Sequence, residues 1–120
     1  MIEHFDFYKP ALELGKLLKD FKAEETIVLD LREKNIWTDF FIICTVTSTS
    51  HAAGLEKRVY EALPQYGLEE YHTKRKSPDG DEWKLIDLGG IVIHLMSKTA
   101  RSFYTLEKLW YDSKNILEDR

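Results

Sequence analysis

WKLIDLGGIVIHLM, residues 83–96, is the stretch whose reading decides the fold. Two β-rich apolar runs flank Gly89-Gly90, and a glycine pair there suits a two-residue hairpin turn that needs positive φ. With the turn at 89–90, Leu88 faces Ile91, Ile86 faces Ile93 and Lys84 faces Leu95. That side is almost wholly aliphatic and is expected to be core. The other side sets Asp87 beside Val92, Leu85 beside His94 and Trp83 beside Met96. Asp87 and His94 are there a diagonal pair, close enough to hydrogen-bond.

This second face admits two readings. A dry core does not welcome a carboxylate without a partner, whereas an aromatic and aliphatic patch with two polar handles suits protein docking, where tryptophan is favoured. Alternatively a helix covers the face and His94 is a satisfied core histidine.

Working outward, FFIICTV (40–46) is apolar at both parities, as a strand covered on both faces is. TIVLDLR (26–32) alternates, with Ile27, Leu29 and Leu31 on the more buried side. Residues 8–23 carry Ala11, Leu14, Leu17, Leu18 and Phe21 at helical spacing. A second helix is predicted over about 50–63, capped by Ser48 or Ser50 and ended by Pro64 and Gly67. A weaker strand is predicted at about 68–75, with a turn at SPDGD (77–81). The last helix starts near Ser97 or Thr99 and buries Ala100, Phe103, Leu106 and Trp110; residues beyond about 113 are expected to fray. The order α-β-β-α-β-β-β-α, with short connections, predicts one α/β (α+β) domain over 1–120: a mixed five-stranded sheet with flanking helices.

Composition narrows the partners. A net charge of −4 argues against a general nucleic-acid coat, although Lys74, Arg75 and Lys76 make one local basic patch. The single cysteine, Cys44, excludes an internal disulfide framework and fits a reducing compartment. No apolar run approaches the ~20 residues that span a bilayer, and MIEHFDFYKP does not read as a secretory signal. A cytoplasmic address is expected.

The catalytic alternatives are thin. Cys44, His51 and Asp39 are the nearest approach to a nucleophile, base and orienter, but Cys44 lies mid-strand, where cysteine is usually an inert hydrophobe. His4, His51, His72 and His94 lack ligand spacing, so no metal or other cofactor is expected. TVTSTSH (45–51) has hydroxyls at a helix start but no glycine to wrap a phosphate. Asp30, Asp39 and Asp87 come from three segments and would need the fold to gather them round a metal.

Several segments together resemble a known family. VLDLR, WTDFFIICTVTSTSH, WKLIDLGGIVIHLM and RSFYTLEKLWYD, in that order and spacing, are similar to the ribosomal silencing factor family, RsfS, also called Iojap; the likeness runs from about residue 8 to 112. The W-x-x-x-D-x-G-x-[IV]-V-[IV]-H hairpin and the R-x-[FL]-Y-x-L-E-x-L-W helix carry most of it. The resemblance implies a nucleotidyltransferase-like fold without enzymatic activity. It implies a protein that binds the large ribosomal subunit through ribosomal protein L-fourteen and sterically blocks the small subunit, repressing translation. It also implies a homodimer when unbound, and a role in large-subunit assembly for organelle members. The chain departs from the family pattern at Val46 for glycine, Ser50 for arginine, Gly90 for aspartate and Trp37 for a small residue. The docking face is accordingly expected to be Trp83, Leu85, Asp87, Val92, His94 and Met96. Lys74, Arg75 and Lys76 are expected as minor rRNA contacts, and Tyr104, Glu107 and Lys108 as further contacts on the last helix.

Overall fold

The computed structural model describes residues 5–70 and 82–117. The run that is apolar at both parities, β2 (Phe40–Val46), takes the middle of a five-stranded sheet and is buried along its whole length. Its neighbours are β1 (Glu24–Asp30), antiparallel, and β4 (Ile91–Ser97), parallel; β3 (Trp83–Asp87) pairs antiparallel with β4 at one edge. The hairpin register is the one the sequence predicts, with Trp83 opposite Met96, Leu85 opposite His94 and Asp87 opposite Val92. Of the two turn glycines, Gly89 takes positive φ, at 86°, and Gly90 does not. Gly90 is needed for another reason: a Cβ there would run into the ring of Phe7.

Helices α1 (Tyr8–Asp20) and α2 (Thr49–Ala62) cover one face of the sheet. Ala11, Leu14 and Leu18 of α1 and Ala52, Leu55 and Val59 of α2 meet Val28, Ile42, Cys44, Ile86, Ile91, Ile93 and Leu95 there. Gly15 lets α1 press onto β1, since a Cβ would stand 2.5 Å from Val28 Cγ2. Ser48 is the cap of α2, its side chain accepting from the His51 amide at 3.0 Å. The chain then passes to the opposite face, where α3 (Lys98–Tyr104), capped by Ser97, and the single turn α4 (Leu106–Leu109) lie. Among the described residues no helix is long and apolar enough to cross a membrane.

Four expectations need correction. Of the strand expected at 68–75, residues 68–70 are not in a strand and 71–75 lie outside the described residues; the fifth strand of the sheet lies elsewhere. It is β5 (Lys114–Asn115), beside β1. The tail over 113–117 therefore does not fray, because Asn115 Oδ1 accepts from the Val28 amide at 3.0 Å and Leu117 is buried against the α1 face. Phe21 lies just past α1, exposed, with the Arg58 guanidinium 4.2 Å from its ring centroid. The last helix is broken at Thr105, in the left-handed region at φ 46°, and Phe103, expected in the core, is 76% exposed.

Candidate docking surface

The second face of the hairpin is covered. Leu29, Leu31, Phe41, Ile43, Val92, Met96 and Ala100 form a core there, and Trp83, Leu85, Leu106 and Trp110 pack on it half-buried. Of the six predicted docking residues, Asp87, Val92, His94 and Met96 are buried. Only Trp83 and Leu85 keep access to solvent. The helix-covered reading holds for the centre of this face, because α3 and α4 return across it. Periodicity does not report which sheet face a distant segment crosses.

Asp87 and His94 are not a catalytic pair. Asp87 Oδ1 accepts from the Gly89 amide at 2.9 Å, bracing the turn. His94 Nδ1 accepts from the Trp83 indole at 3.0 Å, so the proton of the neutral ring sits on Nε2. That N–H is buried and has no hydrogen-bond partner among the described residues, a condition that costs about 1–3 kcal/mol. Burial pushes His94 down to about 3, so it is uncharged at neutral pH.

The other catalytic candidates do not assemble. Burial pushes the Cys44 thiol up to about 12, which leaves it inert. His51 folds back on its own loop, its Nδ1 accepting from the Thr47 amide at 3.0 Å. Asp30 is held by Arg32, whose Nε and Nη2 donate to it at 2.9 and 2.8 Å, and this pairing lowers its pKa. Three strand spacings separate β1 from β3, about 14 Å, so Asp30 and Asp87 share no site. No group of three potential ligands able to hold a metal occurs among the described residues. Helices α2 and α3 leave the parallel strands β2 and β4 toward opposite faces, where open sheets often hold ligands. The crevice there, about 500 Å³, is lined by Thr45, Thr47, Ser48, Ser97 and Lys98 with Glu24 and Glu82. Ser48 and Ser97 are already occupied as caps.

What this side presents to solvent is aromatic. Trp83 and Tyr104 have ring centroids 4.7 Å apart, and Tyr104 and Phe103 4.9 Å. Phe103 of α3, Leu109 of α4 and Tyr111 just after it are 76%, 69% and 84% exposed. Helical spacing predicts Phe103 in the core and gives no signal at Leu109 or Tyr111. Phe103 lies on the face of α3 turned from the sheet. Of the other predicted contacts, Tyr104 and Lys108 are exposed, while Lys74, Arg75 and Lys76 lie outside the described residues. Glu107 is taken up internally. Its Oε2 accepts from Arg101 Nε at 3.1 Å, and Arg101 Nη1 donates to the Glu25 carbonyl at 2.6 Å and to Thr45 Oγ1 at 3.1 Å. Arg101 is only 7% exposed; it ties α3, α4 and the bulged start of β1 together.

The family model described as "Ribosomal silencing factor during starvation" (RsfS) matches residues 6–120. The chain belongs to the RsfS family. The RsfS of Treponema pallidum is 36% identical over 102 residues, covering 85% of this chain and 90% of that protein. A mouse relative named "Mitochondrial assembly of ribosomal large subunit protein 1" is 34% identical over 101 residues, covering 81% of this chain and 43% of that protein. A crystal structure from Chromobacterium violaceum superposes with a TM-score of 0.73 at 27% identity, covering 92% of this chain and 88% of that one. Within the RsfS pattern, the Gly-Gly hairpin turn of this chain is explained by Phe7, whose ring takes the space a side chain at Gly90 would need.

Proposed function

We propose that this protein is a ribosomal silencing factor: it docks on the large ribosomal subunit through ribosomal protein L-fourteen and keeps the small subunit away by occupying the face where the two meet. Membership of the RsfS family over residues 6–120 carries this reading. The exposed aromatic layer supports it, since rigid aromatic anchors are the usual hot spots of protein docking. The contact surface is Trp83, Leu85, Phe103, Tyr104, Lys108, Leu109 and Tyr111, with Lys74, Arg75 and Lys76 adding minor rRNA contacts. Blocking is steric, so it needs no nucleophile, metal or cofactor, and the protein is not an enzyme. It acts in the cytoplasm and pairs as a homodimer when away from the ribosome.

The test is sedimentation of purified protein with purified large and small subunits through a density gradient. The protein should travel with large subunits and suppress the joined-ribosome peak. If it stays at the top, the reading fails, and Mg²⁺-dependent nucleotide binding becomes the next assay. The name of the mouse relative favours a second reading, in which the same contact serves large-subunit assembly. Recovery on precursor particles but not on mature subunits would select it.

A further inference from the structure

Trp83 opens β3, an edge strand of the sheet among the described residues, and is half-buried. A large ring at such a place has several orientations open to it unless something holds it, and ordering it at the moment of docking costs affinity. What holds Trp83 is a hydrogen bond to an interior residue. His94 lies on β4, which has β3 on one side and β2 on the other. It is 4% exposed, and its ring stands edge-on to Phe41 with centroids 4.5 Å apart at 67°. His94 therefore has little room to turn. Its Nδ1 accepts from Trp83 Nε1 at 3.0 Å, along the diagonal of the strand pair. Tyr104, itself 38% exposed, meets the same indole with centroids 4.7 Å apart.

We infer that His94 is a positioning residue for docking: from an interior strand it fixes the indole of Trp83, on the edge strand, in the orientation that the large-subunit partner receives. This rests on the docking reading above and deepens it, because it also assigns how the partner meets Trp83. An indole has one donor and no acceptor, and here that donor is spent on His94. The partner meets Trp83 through its carbon ring, with an apolar or cationic group, and not through a hydrogen bond.

A double-mutant cycle on large-subunit binding tests this, with His94→Phe, Trp83→Phe and the two combined. His94→Phe keeps a ring against Phe41 and removes the acceptor. It should weaken binding about three- to tenfold, the loss expected when one large side chain must be ordered on docking. In the Trp83→Phe background, which has no indole N–H, it should weaken binding no further. Equal binding by wild type and a folded His94→Phe overturns the inference, and so does an equal loss in both backgrounds. Failure of wild type to travel with large subunits overturns the docking reading and the positioning role with it. His94→Asn separates positioning from packing. Its Oδ1 is attached to Cγ as Nδ1 is, so an acceptor remains, but the lost ring leaves a cavity. It should be the less stable of the two His94 variants and the better binder; binding that follows Tm instead makes His94 a residue of the core alone. One measurement needs no variant. In ¹⁵N relaxation of the wild-type protein, the Trp83 indole N–H should be as rigid as the backbone amides of β4, and a mobile indole overturns the clamp.

Discussion

His94 sets an acid limit on stability. Its folded pKa, about 3, lies below the ordinary histidine value near 6.5. Between those values the unfolded chain binds a proton that the folded one refuses, so stability rises with pH across the window and is lost as pH falls through it. Each pH unit below about 6.5 should remove up to ~1.4 kcal/mol, read as a falling Tm from pH 7 to pH 4. His94→Phe should flatten that slope, and a slope equal to wild type would assign the acid loss to other groups. Gly90 is the second residue with a sharp consequence. Any side chain there meets the Phe7 ring, so Gly90→Ala should cost about 1–3 kcal/mol by overpacking. Combining it with Phe7→Ala should recover part of that cost, and simple additivity in denaturant melts would show that the two positions do not touch.

Among the elements, the α3–α4 kink decides most. Thr105 at φ 46° turns the chain there, and Glu107 meets Arg101 across the turn. Removing the guanidinium strands Glu107, Thr45 and the Glu25 carbonyl. Arg101→Leu should therefore cost on the order of 3–5 kcal/mol, and lysine should not rescue it, since one ammonium cannot reproduce the fork. Thr105→Gly should raise stability by about 1 kcal/mol by relaxing a left-handed β-branched residue. A lower Tm instead would mean that the side chain contributes more than its backbone conformation costs.

For the whole molecule the question is which surface is available. Serine at Phe103, Leu109 and Tyr111 should shift stability by no more than ~0.5 kcal/mol each, because all three are exposed. The triple variant should nonetheless lose large-subunit binding tenfold or more. It is a cleaner probe than Trp83→Ala, since Trp83 also donates to His94. The net charge of −4 bears on the same contact. A protein anchored mainly on protein, with at most Lys74, Arg75 and Lys76 on phosphate, should show a shallow salt dependence, no steeper than about −3 in log K against log salt. A steeper slope would move the anchor onto rRNA.

The sequence by itself determined the hairpin register, the central position of FFIICTV, a serine cap at 48 or 50 and the aliphatic face of the main core. These are local or period-two properties, readable from residues that are neighbours along a strand or across a tight turn. The family, too, was legible from the spacing of the hairpin and the last helix. Tertiary structure alone decided that α3 and α4 cross the second sheet face, burying Asp87, Val92, His94 and Met96. It also decided that the fifth strand comes from Lys114–Asn115, and that Phe7 lies over Gly90. Each of those depends on a contact between segments far apart in the chain, made possible by one left-handed residue or one missing Cβ, and no periodicity in the sequence encodes it.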